Sequence, residues 1–235
     1  MNRDNHVQSW LRRVLLVVAT TALIPFGALV IGALGPAGVA NASTVTGNVN
    51  CESPSPHVPG ITFEGNVTVT GACTLVGDTV IGNVKVLSGA RFLDVGSTIE
   101  GNLVADNAHS TENPVDLEGT HIDGNLEVQG SSSNPTGAIY LCDITVAGSV
   151  KVQTLNLFMD CGPDTITGNL VAENFPAPVR ISSASVQGSI EVTGNTGGVT
   201  MNDNQAGGNC QAINNSPAAT GSGNTAEGIN RGCPT

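Results

Sequence analysis

Gly82-Asn83-Val84-Lys85-Val86-Leu87-Ser88-Gly89-Ala90-Arg91-Phe92-Leu93-Asp94-Val95-Gly96-Ser97-Thr98-Ile99-Glu100 is one complete unit of this chain. Val84 and Val86 alternate around Lys85, which sends the two valines to one side of an extended strand and the lysine to the other. A second apolar segment, Phe92 to Val95, and a third, Thr98-Ile99, follow after short Gly/Ser turns. Then Gly101-Asn102-Leu103 begins the script again.

The same tag occurs at Gly47, Gly65, Gly82, Gly101, Gly124, Gly148, Gly168, Gly188 and Gly208, at intervals of 18, 17, 19, 23, 24, 20, 20 and 20 residues. A fixed period of this size marks a solenoid, in which each repeat buries its apolar face only against its neighbours. Paired inward residues recur as Val67/Val69, Leu103/Ala105, Leu126/Val128, Val150/Val152, Leu170/Ala172 and Ile190/Val192. No segment after residue 42 keeps a helical apolar period without interruption by Gly or β-branched residues. The expected fold is therefore all-β, a single-stranded right-handed parallel β-helix (solenoid) of about eight coils of ~20 residues with disulfide-pinned ends. At ~4.8 Å per coil the rod would be on the order of 40 Å long.

Glycine at a fixed corner implies either a positive φ or close approach of the next coil. Asparagine beside it is expected to stack as a ladder, amide to amide, with Ser149 and Ser189 substituting at shorter reach.

Residues 1–42 read as a signal peptide: Arg3, Arg12 and Arg13, an apolar run from Val14 to about Leu34, and Ala40-Asn41-Ala42 as the cleavage pattern. An uncleaved membrane anchor is the competing reading, disfavoured by Pro25, Gly27, Gly32 and Gly35 within the run. The solenoid is expected over 43–208 and a C-terminal capping loop over 209–235, whose Ser, Gly, Asn, Ala and Pro offer almost no large apolar side chain. Cleavage leaves 5 Lys/Arg against 18 Asp/Glu, a formal net charge of −13. That balance argues against nucleic acid or anionic lipid as partner, since both require cations to neutralise phosphate.

Six cysteines in an exported chain imply three disulfides. Cys142 and Cys161 occupy nearly the same slot on consecutive coils, so they pair; Cys51 with Cys73 ties down the first coil and Cys210 with Cys233 closes the tail. No C-x-x-C and no His at ligand spacing point to a metal, and no motif calls for a cofactor.

The two long intervals carry insertions at the same point of the coil, residues 107–114 and 130–136. Insertions on one face of a solenoid often mark its binding face. The binding patch suggested there comprises His109, Glu112, Asp116, Glu118, His121 and Asp123; two tolerated surface loops explain the same insertions. Nothing marks a catalytic residue: G-x-S-x-G and H-E-x-x-H are missing, and Lys85, Arg91, Lys151, Arg180 and Arg231 fall beside no stacked carboxylate pair. Phe63, Phe92, Phe158 and Phe175 sit mainly in core-like slots, and the outward row Thr68, Lys85, Val104, Glu127, Lys151, Val171, Glu191 forms no sugar platform.

The exported start, the Gly-Asn-[Val/Leu/Ile] coils and the ending from Gly207-Gly208-Asn209-Cys210 to Cys233 resemble secreted Gly-Asn-Val repeat β-solenoid proteins of high-GC Gram-positive bacteria. The coils alone also resemble, more loosely, the bactofilins, cytosolic β-helices that polymerise end to end through open ends. Neither resemblance carries a catalytic residue across. The function expected is a secreted, non-catalytic structural or interaction role at the cell surface or in the medium. An enzyme or binding module acting on cell-wall or other extracellular polysaccharide is the alternative.

Overall fold

A computed structural model describes residues 43–52, 59–108, 113–130 and 137–235, and the expected signal peptide lies outside the described residues. Within them every regular element is a strand and none is a helix. The strands form three parallel sheets, and one turn of the chain visits each in order. The first face holds ten two-residue strands, from Thr44–Val45 to Thr225–Ala226. The second holds ten strands, from Val49–Cys51 to Asn230–Arg231, and the third holds eight, from Ala72–Val76 to Thr220–Ser222. The expected parallel β-solenoid is what the chain forms, with about nine turns.

Register is continuous along the rod. On the second face Val67, Val84, Leu103, Leu126, Val150, Leu170, Ile190 and Cys210 stand in one line, all buried. Each inward Val, Leu or Ile contributes about 1.5–3 kcal/mol by leaving water. Their backbone N–H and C=O groups pair with the coils above and below, so burial strands few polar groups.

The tag glycines serve close approach. A Cβ on Gly101 would lie 2.5 Å from the Gly82 carbonyl oxygen, and one on Gly124 would lie 2.5 Å from that of Gly101. The two backbones instead bond directly, the Gly124 N–H to the Gly101 carbonyl at 3.1 Å. Gly47 is the one tag glycine with a positive φ, 85°; elsewhere positive φ falls at other corners, among them the one between the third and first faces, where Gly77, Gly96 and Gly119 share the left-handed region with Asp143, Ser183 and Asp203. Asp and Ser tolerate that region better than bulkier residues do.

The expected asparagine ladder is present. The Asn66, Asn83, Asn102 and Asn125 backbone N–H groups each donate to the Oδ1 of the tag asparagine one coil earlier, at 2.8–3.0 Å. Their side-chain amides donate to the same oxygens at 3.1–3.2 Å. Ser149 accepts from the Asn169 N–H through its hydroxyl at 3.1 Å, and Ser189 accepts from Asn209 at 3.0 Å. The row ends where the Ile229 N–H donates to Asn209 Oδ1 at 2.8 Å.

The three disulfides pair as expected: Cys51 with Cys73, Cys142 with Cys161 and Cys210 with Cys233, at Cα separations of 5.6, 5.3 and 6.0 Å. The tail differs from the capping loop expected over 209–235. Cys210–Ile213, Thr220–Ser222, Thr225–Ala226 and Asn230–Arg231 pair in register with the coils before them and extend the solenoid. Large apolar residues are unnecessary there, because Ala206, Ala212, Cys210 and Cys233 fill a narrowing core. Asparagine bonds hold its corners: Asn224 accepts from the Asn204 N–H at 3.2 Å, and Asn215 accepts from the Asn195 N–H at 3.0 Å.

Candidate functional site

The acidic cluster of the 101–124 interval divides at a corner. Asp116 and Glu118 point outward from the third-face strand Val115–Glu118, Asp116 half-buried and Glu118 exposed. Gly119, at φ 64°, then turns the chain, Thr120 is buried, and His121 opens the first-face strand His121–Ile122. His121 Nε2 and Asp123 Oδ1 are 2.9 Å apart with both side chains largely in solvent. The structure thus brings His121 and Asp123 together and places Asp116 and Glu118 on another face. His109 and Glu112 lie outside the described residues, as do residues 131–136 of the second insertion. The first insertion begins at a register shift between Ala105 and Ala108, consistent with extra residues leaving the ladder there.

Lys85 Nζ lies 3.8 Å from Asp106 on the second face, and Arg180 lies 3.8 Å from Asp160 on the third. Among the described residues no group of three His, Cys, Asp or Glu side chains is placed to hold a metal ion.

One surface group escaped the sequence reading. Tyr140 and Phe158 occupy the same outward slot on consecutive third-face coils, where Ile139, Leu141, Leu157 and Met159 point inward. Their rings stack with centroids 5.1 Å apart and planes inclined by 23°. The Arg180 guanidinium sits 5.4 Å from the Phe158 centroid. The order Asp116, Tyr140, Phe158, Arg180 follows the register of the sheet. Burial raises the Tyr140 hydroxyl above the usual tyrosine range, Asp116 and Asp160 add to that, and Arg180 opposes it. The core-like slot expected for Phe158 is not the one it takes: it alternates with buried Leu157 and Met159 and so points outward. The rings face each other along the rod axis, so they show solvent their edges. Each ring stacks one face on the other, and Arg180 lies over the Phe158 ring.

A second row was also missed. The first face presents Thr44, Thr62, Thr79, Thr98, His121, Thr145, Thr165, Ser185, Gln205 and Thr225 in register. The signal was available, since Thr precedes the inward residue in most third segments. Cross-strand threonine pairs stabilise a sheet on their own account. Near the tail this face forms a shallow hollow of about 310 Å³, between Ser185, Gln187, Gln205, Thr225 and Glu227.

Two carboxylates lie in the interior. Asp94 takes an inward third-face slot in line with Leu75 and Leu117 and is fully buried. The Thr120 hydroxyl donates to its Oδ2, while its Oδ1 is without a partner. Desolvation raises Asp94 above the ordinary carboxyl range, against hydrogen bonds from Ser97 and Thr120. Asp164, also fully buried, stands at the corner between the third and first faces. Both escaped notice because a single acid leaves the apolar period intact. Compared with protein-family models, with curated proteins and with solved structures, the chain finds no match in any of the three.

Proposed function

We propose that this protein is a secreted, non-catalytic β-solenoid whose role is structural or interactive, at the cell surface or in the medium. The observation that supports this reading is the separation of Asp116 and Glu118 from His121 and Asp123 onto two faces, since hydrolysis or elimination of a polysaccharide calls for carboxylates that converge. What remains is a rod with three regular faces and a densely bonded backbone, suited to presenting a surface at fixed spacing. Three disulfides fit an oxidising compartment. The resemblance of the Gly-Asn-Val coils and the cysteine-bearing ending to secreted repeat solenoids supports the same assignment. The partner class that fits is an extracellular polymer or protein met along a face.

The test is a binding and depolymerisation screen of the purified protein, disulfides closed, against cell-wall and plant polysaccharides with and without Ca²⁺. Sedimentation with an insoluble polymer and no release of oligosaccharide is the expected positive result. Turnover of any polymer would replace this reading with the enzymatic one.

A further inference from the structure

The interior asparagines of the tail share one bonding scheme. Each accepts, through Oδ1, an N–H from the preceding coil: Ala184 to Asn204 and Phe175 to Asn195, at 3.0 and 2.9 Å. Each also donates from Nδ2 to the carbonyl found 23 residues back. Asn204 gives to Ile181 and Asn224 to Met201, both at 2.9 Å; Asn195 gives to Ala172 at 3.4 Å and Asn215 to Val192 at 2.8 Å.

Asp164 stands in the column of Asn204 and Asn224, since Thr165, Ser185, Gln205 and Thr225 beside it are aligned. Its Oδ1 performs the asparagine's task, accepting the Ile144 N–H at 3.0 Å. Its Oδ2 holds the place of Nδ2, is buried, and has no partner. The carbonyl 23 residues back is that of Leu141. Leu141 also stands where Ile181 and Met201 stand, because Tyr140 aligns with Phe158, and Met159 aligns with Ile181 and then Met201. By this alignment Oδ2 is the atom that would meet the Leu141 carbonyl, and since a carbonyl cannot donate, a bond between the two needs a proton on the carboxyl.

We propose that Asp164 works as a carboxylic acid, its Oδ2–H donating to the Leu141 carbonyl in imitation of asparagine, and that losing this proton opens a pH-sensitive joint between two coils in the middle of the rod. Ile144 before it and Ala184 after it are apolar. The charge set against it is Asp143, of the same sign; Ser183 and Ser185 on the following coil are neutral, and Asp160 on its own turn is exposed and near Arg180. Burial pushes the Asp164 carboxyl up to about 7, with Asp143 adding to that and N–H bonds from Ile144 and Asp143 opposing it. Since the folded chain holds this proton more tightly than the unfolded chain, the stabilisation is complete below the ordinary carboxyl range and is lost as pH rises through about 7. The Cys142–Cys161 disulfide spans the same two coils, so the opening is local.

The test compares the wild type with Asp164→Asn, disulfides closed, by thermal melting between about pH 3 and about pH 9. Asparagine supplies the same donor without a titrating proton. The two melting temperatures should nearly coincide at the acid end and separate by several degrees at the alkaline end, the variant melting higher. A gap that does not change with pH, or a variant that loses ground as pH rises, would overturn the proposal. Infrared spectroscopy of the wild type alone provides an independent reading. A protonated-carboxyl band should lose intensity as pH passes neutrality; constant intensity would overturn the proposal whether or not the variant folds.

Discussion

The two ends of the rod are held by different chemistry. Toward the N-terminus the interior is filled by volume, with Phe63, Val67, Val69, Leu75, Val80 and Phe92 buried and Val45, Val49 and Cys51 packed half-buried at the first coil. Toward the C-terminus volume runs out. Val186 gives way to Ala206 and then Ala226, Val192 to Ala212, and Ile190 to Cys210. In their place come two interior asparagine columns, and the Pro234 carbonyl accepts from Asn224 Nδ2 at 2.5 Å. The external ladder shows the opposite trend. Asparagine bonds asparagine through both backbone and side chain from Asn48 to Asn125, and serine interrupts the amide pairing afterwards. One parallel register is thus maintained by hydrophobic burial at one end and by buried amides at the other. Tapering also leaves little apolar area to expose at the last coil, where a solenoid otherwise has an open edge.

This contrast can be broken most directly by removing volume where volume dominates. Phe92→Ala, at a fully buried site between Cys73 and Val115, should destabilise by about 3–5 kcal/mol in denaturant unfolding. A cost below ~1 kcal/mol would mean that the N-terminal core does not depend on its large side chains. Next in size is the tail disulfide: replacing Cys210 and Cys233 by alanine should cost about 2–4 kcal/mol. The loops closed by Cys51–Cys73 and Cys210–Cys233 are almost equal, at 22 and 23 residues, so chain entropy favours neither. Removing the tail bridge should nevertheless do more, because less apolar packing remains to hold the last coil. Equal losses from the two double substitutions would dissolve the distinction between the ends.

Asn204→Ala tests the amide side. It leaves the Ala184 N–H and the Ile181 carbonyl buried without their partner, a loss of about 2 kcal/mol, and should speed amide exchange at Ala184 ahead of the N-terminal coils. Uniform exchange along the rod would argue that the tail is no more dependent on its amides than the start. The smallest effect expected is that of Phe158→Ala, about 1 kcal/mol, since only the outward stack with Tyr140 and the contact with Arg180 are lost. A cost as large as that at Phe92 would show that the outward row carries the sheet.

The architecture was legible in the sequence because both of its periods were intact. The twenty-residue return of the tag set the coil, and Val84/Val86-type alternation set the inward faces. The Cys142–Cys161 pair followed from nearly equal slots on consecutive coils, whereas the end pairs followed from their place: Cys51 aligns with Val69 and Cys210 with Asn230, and their partners Cys73 and Cys233 lie a few residues further on. The tail was read as a loop for a definite reason: hydropathy reports cores made of large side chains, whereas Ala212, Cys210 and Asn224 build a thin core held by hydrogen bonds. The suggested patch was less legible. Asp116, Glu118, His121 and Asp123 are neighbours along the chain, yet a three-sided coil changes direction at Gly119 and separates them. Proximity in sequence is therefore a poor guide to convergence here, while equal position within the repeat is a good one. Tyr140 with Phe158, and Asp164 with Asn204, are related in that second way.

The external ladder has a direction. Every rung from Asn66 to Asn209 gives a backbone hydrogen bond to the coil before it and offers a side-chain oxygen to the coil after. Ile229, 69% exposed, gives its bond to Asn209 and offers no side-chain oxygen in turn. A row of this kind behaves as a word written in one repeated letter and closed by a full stop. Read from Asn48 the row carries the same message on each coil, and at Ile229 it delivers that message without passing it on.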